Sequence, residues 1–208
     1  MKKLMIFCAS LIFCANAIAS DLDVKIKEIQ DVWTSAKYLK TTKADKLAEF
    51  ENCVNIAKNA QNSFPQNVEP LIWQGICTAS QCELLKISAL GKAKEAKAIF
   101  EKAASINANA LNGSSYTNLG VLYHRVPGWP IGFGDEKLAE ENFKKALEIS
   151  PENIDANYFY ALFLISEDRK TEAKKHLEIA AKAPSRNRPI ADAKRKEEIA
   201  NALKKLLK

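Results

Sequence analysis

Residues that break helices are scarce in this chain: glycine and proline occur only seven times each in 208 residues. With Ala, Lys, Leu and Glu dominating the remainder, that scarcity leaves little room for anything but helices joined by turns. The prolines fall where helices should end, at Pro65, Pro70, Pro127, Pro130, Pro151, Pro184 and Pro189. Histidine is scarcer still, with His124 and His176 alone, and no C-x-x-C pair occurs, so no zinc or redox motif is present. G-x-S-x-G, H-E-x-x-H and phosphate-cradling patterns are missing as well. His124 beside a carboxylate is the one acid-base arrangement that can be built, and its place at a helix end beside Arg125 favours a structural role. His176 falls among Lys174, Lys175 and Glu178, on what reads as a solvated face. No cofactor is implied. The formal net charge of +6 is mild and spread along the chain, which does not imply nucleic acid.

What is present is a spacing. Gly120 and Tyr123, then Ala139, Phe143, Ala146 and Pro151, set a small residue and an aromatic three apart on one helix, and Ala, a ring, Ala and Pro at fixed steps on the next. Two antiparallel helices pack closely only where one presents Gly or Ala and the other fills the gap with a ring. A second copy reads Ala161, Ala173, Leu177 and Ala180. A third, with a longer connection, reads Gly75, Ala96, Phe100 and Ala103, and a fourth keeps only its second helix, at Cys53, Ala57, Ala60 and Pro65. This pattern resembles the tetratricopeptide repeat. The expected fold is an all-α superhelix of about four cryptic helical hairpins, near 22–65, 69–108, 113–151 and 154–184. A capping helix over 189–207 closes it, its apolar stripe read as Ala193, Ile199, Leu203 and Leu206 with Lys194, Arg195 and Lys196 on the polar side. An irregular helical bundle is the alternative.

Met1 to Ala19 reads as an export signal: Lys2 and Lys3 open it, Leu4 to Phe13 is apolar, and Ala17-Ile18-Ala19 offers a small-x-small cleavage site. The domain would then occupy 20–208. The apolar run is too short to span a membrane, and Phe13 before Cys14 disfavours a lipidated cysteine. Export leaves Cys53, Cys77 and Cys82 in an oxidising compartment. Cys53 lies midway along one expected helix, with Cys77 and Cys82 bracketing its level on the next, so a bridge from Cys53 to either is open. The alternative is that all three are small buried hydrophobes.

Helical repeats bind through the concave side of their first helices, where this register places Ile72, Trp73, Ile76, Thr117, Asn118, Val121, His124, Arg125, Tyr158, Phe159 and Leu162. An apolar ligand or a packed partner helix fits that surface better than a peptide carboxylate. In a tightly wound superhelix the same aromatics simply fill the middle. Between the helices of the third hairpin stands Val126-Pro-Gly-Trp-Pro-Ile-Gly-Phe-Gly-Asp135. Pro127 and Pro130 stiffen this loop while Gly128, Gly132 and Gly134 permit turns other residues resist, so Trp129 and Phe133 are held. Two held rings make an interface anchor or a plug of the chain's own superhelix. Asp135 reads as the cap of the following helix.

The loop, together with Gly113 to Tyr123 and Asn157-Tyr-Phe-Tyr160, resembles the TatT family, the T components of tripartite ATP-independent periplasmic (TRAP) transporters. The resemblance implies a periplasmic, non-catalytic helical-repeat protein that associates with the transporter's solute-binding protein and self-associates around ligand-sized pores. The expectation is an accessory protein of solute uptake, with a solute-binding protein, a hydrophobic small molecule and a homo-oligomer as its partners. Trp73, Asn118, Arg125, Trp129, Phe133 and Tyr158 are its candidate contact residues. A scaffold for another envelope assembly, such as pilus or outer-membrane biogenesis, is the alternative.

Overall fold

The computed structural model describes residues 21–85 and 88–206, and the segment read as an export signal, 1–19, lies outside them. The described residues form helices and turns with one isolated bridge and no strand. In chain order the helices are α1 (21–34), whose end widens into a π turn at Ser35–Leu39, α2 (Lys43–Ser63), α3 (Glu69–Gln81), α4 (Ala89–Ile106), α5 (Ser114–Arg125), α6 (Glu136–Ile149), α7 (Ile154–Ser166), α8 (Lys170–Lys182) and α9 (Pro189–Leu206). Each helix packs against the next, and the first helices of successive hairpins also meet, α3 on α5 and α5 on α7. The fold is an all-α, tetratricopeptide-like superhelix.

Local sequence fixes the ends of the helices. Thr42 Oγ1 accepts from the Asp45 N–H at 3.1 Å to open α2, and Asp135 Oδ1 accepts from the Leu138 N–H at 2.9 Å to open α6. Asn153 Oδ1 accepts from the N–H groups of Asp155 and Ala156 at 2.9 and 3.0 Å to open α7. Between α4 and α5 a short 3-10 turn at Ala110–Asn112 ends at Gly113, whose φ of 73° lies in the left-handed region that favours glycine.

The core follows the small-against-ring spacing. A Cβ on Gly75 would stand 2.6 Å from the Phe100 ring, and one on Gly120 would stand 2.8 Å from Phe143. Phe100, Phe143, Ala96, Ala139, Ala146, Ala161, Ala173, Leu177 and Ala180 are fully buried. Phe143 also reaches the next hairpin, its centroid 5.6 Å from Tyr160 and 5.9 Å from Phe163. Cys53 on α2 is joined to Cys77 on α3 across a Cα separation of 5.9 Å, which selects one of the two pairings, and Cys82 is free and half-buried.

Two readings of the sequence are corrected here. His176 is not on a solvated face: it is half-buried, edge-on to Tyr160 at 4.8 Å. Asn157 Nδ2 donates to the carbonyls of Pro151 and Asn153, so its Oδ1 accepts from His176 Nδ1–H at 2.8 Å. The stripe of α9 that faces inward is Ala191, Asp192, Arg195, Ile199 and Ala202, while Ala193 is exposed. Charged side chains are seldom buried unpaired, which is why a sequence pattern assigns them to solvent; here Asp192 and Arg195 are both paired.

Two stability measurements follow from this packing. Gly120→Leu overpacks a contact between two buried helices, and chemical unfolding should show a loss of about 1–3 kcal/mol; an unchanged midpoint would contradict the hairpin register. Burial pushes the His176 imidazole below its ordinary value, Arg169 adding to this against the pull of Glu172. Stability held by the neutral ring is therefore present above about pH 6.5 and lost as the pH falls through the lower folded value. The melting temperature of the wild type should drop between about pH 7 and pH 5, whereas His176→Gln, which keeps a donor for Asn157 without titrating, should flatten that step.

Candidate functional site

The 126–135 loop is held by its own backbone. Gly134 N–H donates to Pro127 O at 2.9 Å, Ile131 and Gly132 donate to Gly128 O at 3.1 and 3.0 Å, and Asp135 N–H returns to Tyr123 O at 3.0 Å. None of its three glycines has a positive φ. They are needed for close approach instead, because a Cβ would stand 1.8 Å from Val126 O at Gly134 and 2.4 Å from Pro127 O at Gly132. Phe133 fastens the loop to the body, edge-on to Tyr123 at 5.8 Å with Lys97 Nζ 5.5 and 5.7 Å from the two rings. Trp129 is 90% exposed and Ile131 70% exposed. The two rings of the loop thus divide their work, Phe133 fixing it and Trp129 standing in solvent, so Trp129 plugs nothing.

The concave face is treated in the opposite way. Trp73 is 4% exposed and Tyr158 9% exposed, both covered from within by the end of the chain. Trp73 meets Trp33 of α1 edge to face at 6.2 Å, and the Arg188 guanidinium lies 5.0 and 5.3 Å from the two ring centroids. Seven residues on, within α9, Arg195 lies 4.5 Å from Tyr158 and 4.7 Å from Phe159, and its Nε donates to Asp155 Oδ1 at 2.8 Å. Arg186 bridges Asp155 and Asp192, and Asp192 also accepts from Ser185 Oγ at 3.0 Å and the Arg186 N–H at 2.8 Å. Burial alone would raise the Asp155 carboxyl, but the Arg195, Arg186 and Arg188 charges bring it below its ordinary value. Arg188 fares differently: burial, with Arg186 adding repulsion, brings it down to about 10. Its Nε and the Trp73 Nε1 are buried without hydrogen-bond partners.

The six candidate contact residues do not form one site. Trp129 and Phe133 share the loop, whereas Trp73 lies in the first hairpins beneath Arg188. Arg125 and Tyr158 are linked through Phe159, with the Arg125 guanidinium 5.7 Å from that ring and the Tyr158 centroid 5.2 Å from it, while Arg125 also pairs with Glu83 at 3.2 Å. Asn118 turns back on its own helix, its Nδ2 donating to Ser114 O at 2.8 Å. His124 Nδ1 stands 3.1 Å from Glu136 Oε2, with its ring edge-on to Phe163 at 5.4 Å. Sequence reasoning does not single out Arg188 or Trp33 and places Arg195 on the polar side of the last helix; the seven-residue spacing of Arg188, just before that helix, and Arg195 within it is the signal that could have found them. Among the described residues no cluster of three His, Cys, Asp or Glu side chains is placed to hold a metal, and no helix is long and apolar enough to cross a membrane.

Residues 131–197 match a tetratricopeptide repeat family, and residues 88–109 match another model of the same repeat. A comparison with curated proteins finds no match. Among solved structures, MamA from residue 41 of Desulfovibrio magneticus RS-1 is similar at 14% identity and a TM-score of 0.47, over 88% of this chain and 93% of that one. A thermophilic TPR protein of Thermus thermophilus is similar at 15% identity and a TM-score of 0.45, over 84% and 98%. The repeat is a protein-interaction scaffold.

The loop's glycine frame is open to test. Gly134→Ala forces Val126 O out of its position, so limited proteolysis should cut the variant within 126–135 where the wild type resists. The helices should persist, with a loss of about 1–3 kcal/mol. Equal resistance in both proteins would show that close backbone approach does not hold the loop.

Proposed function

We propose that this chain is an exported protein-interaction module that serves solute uptake, gripping a solute-binding protein through the 126–135 loop. The observation that carries the reading is Trp129, which stands 90% exposed on a loop whose own hydrogen bonds fix its shape. Trp129 and Ile131 are exposed together on one loop, and large rigid aromatics are the usual anchors of protein interfaces. Because the loop is ordered beforehand, a partner that receives Trp129 need not bear the entropy of ordering it. The export-signal pattern at 1–19 and the Cys53–Cys77 bridge support an oxidising envelope compartment. The TatT-like residues favour a solute-binding protein as partner. Trp73 and Tyr158 lie under α9, so the reading assigns recognition to the loop and no apolar ligand to the groove.

Native mass spectrometry of the protein purified from an envelope fraction tests this. The wild type is expected to carry a solute-binding protein. Trp129→Ala, which removes a solvent-exposed side chain, should keep its melting temperature and lose at least about tenfold in partner affinity. Full retention by the variant would reject the loop as the contact. An envelope assembly protein in place of a solute-binding protein would move the chain to the scaffold reading.

A further inference from the structure

The last helix does more than cover the last repeat. Ile199 and Ala202 pack into the core shared with α7 and α8, which is all that a capping role requires. The other half of α9 runs on to the first hairpins, where Ala191 joins the core of Ile29, Trp33, Phe50, Cys53 and Trp73. Along this path the concave face offers two seats for a cation. Trp33 and Trp73 frame the first around Arg188, and Tyr158, Phe159 and the Asp155 carboxylate frame the second around Arg195. Arg188 stands just before the first turn of α9, its carbonyl accepting from the Asp192 N–H, and Arg195 lies seven residues on within the helix. The seats are built from α1, α3 and α7, three elements distant in sequence, and they recognise what arginine has and lysine lacks, a flat cation that stacks on rings.

The occupation is incomplete at the first seat. Arg188 makes no ion pair among the described residues, and its Nε and the Trp73 Nε1 are two buried donors without an acceptor. While this occupant is in place, no group among the described residues accepts from either donor. The non-helical segment 183–188 joins α9 to α8, and Asn187 within it has a φ of 60°.

We propose that the concave face is a receptor for a helix of another protein carrying two arginines seven residues apart, and that α9 holds it in a self-occupied state which such a helix displaces. The occupant of the groove defines the partner's chemistry: arginines at i and i+7 for the two ring-lined seats, and a side-chain acceptor near the first to satisfy the Trp73 and arginine donors. The partner's second arginine takes over the charge of Asp155. This surface is independent of the Trp129 loop, and a single chain can use both.

The experiment titrates a fluorescent synthetic peptide of residues 185–206 into the full-length chain and reads anisotropy, with circular dichroism confirming that each protein is folded. The tethered α9 competes with the peptide, so the wild type should bind it weakly. Arg195→Lys, which keeps the charge and loses the stacking, should bind it at least about tenfold more tightly. A second variant with Gly-Ser pairs inserted after Pro184 alters no seat, lowers the effective concentration of α9 and should move affinity the same way if Arg195→Lys fails to fold. A peptide carrying Arg188→Ala and Arg195→Ala should bind every chain at least about tenfold more weakly than the parent peptide. The proposal is overturned if the folded variants bind the peptide no better than the wild type, or if the arginine-free peptide binds as well as the parent.

Discussion

Two hairpins of this chain close where one helix offers only a hydrogen atom and the other fills the space with a ring. The approach at Gly75 and Gly120 is so close that any side chain there meets Phe100 or Phe143, both fully buried and unable to move aside cheaply. That fixes the register of the two helices without help from the connection between them. The same Phe143 ring contacts Tyr160 and Phe163, so the contact that closes one hairpin also seats the next. A stack built this way tolerates long connections. The loop from Val126 can leave the body and return because α5 and α6 are already held, with the Asp135 N–H on Tyr123 O and the Asp135 side chain on the start of α6.

The end of the chain depends on a different kind of contact. Arg195, Asp155, Arg186 and Asp192 form a chain of charge pairs under α9, and the Coulombic gain of such pairs is offset by their desolvation, so their net contribution to stability is small. Their effect is on rotation. Turning α9 by one residue would carry Arg195 off both Asp155 and the Tyr158 and Phe159 rings, whereas an all-apolar stripe would slide with little loss. The pairs orient the helix and the rings accept its cations. The arrangement asks for a specific occupant in a way that Ile199 and Ala202, packed on α7 and α8, do not.

The fold is legible in the sequence because its decisive contacts repeat at fixed spacing. Gly75 with Phe100 and Gly120 with Phe143 can be paired from position alone, and the Asp135 cap from its place before an amphipathic run. What escapes is what depends on tertiary pairing. A search for the inward face of α9 among alanines and leucines misses Arg188, Asp192 and Arg195, which lie inward because their partners come from α1, α3, α7 and the 183–188 segment, and no local pattern joins these to α9. The charged neighbours of His176 suggest a surface residue, yet those neighbours sit on other faces of α8 and Asn157 draws the ring inward. The loop glycines read as turn-formers; the structure uses them for the missing side chain and not for the free φ, a distinction sequence does not carry.

The molecule handles its large rings in two ways, and the contrast bears on how a tetratricopeptide-like scaffold presents surfaces. Trp33, Trp73, Tyr158 and Phe159 are stacked by two arginines of the same chain, so these rings of the concave face are covered while the arginines are in place. Trp129 has no such partner, although Phe133 four residues later is fully engaged by Tyr123 and Lys97. A loop whose backbone is closed by its own hydrogen bonds loses no order when its exposed ring is left in water, so exposure here reflects construction and not slack. The exposed ring is therefore presented on a small loop of fixed shape. The rings of the concave face are instead stacked by Arg188 and Arg195.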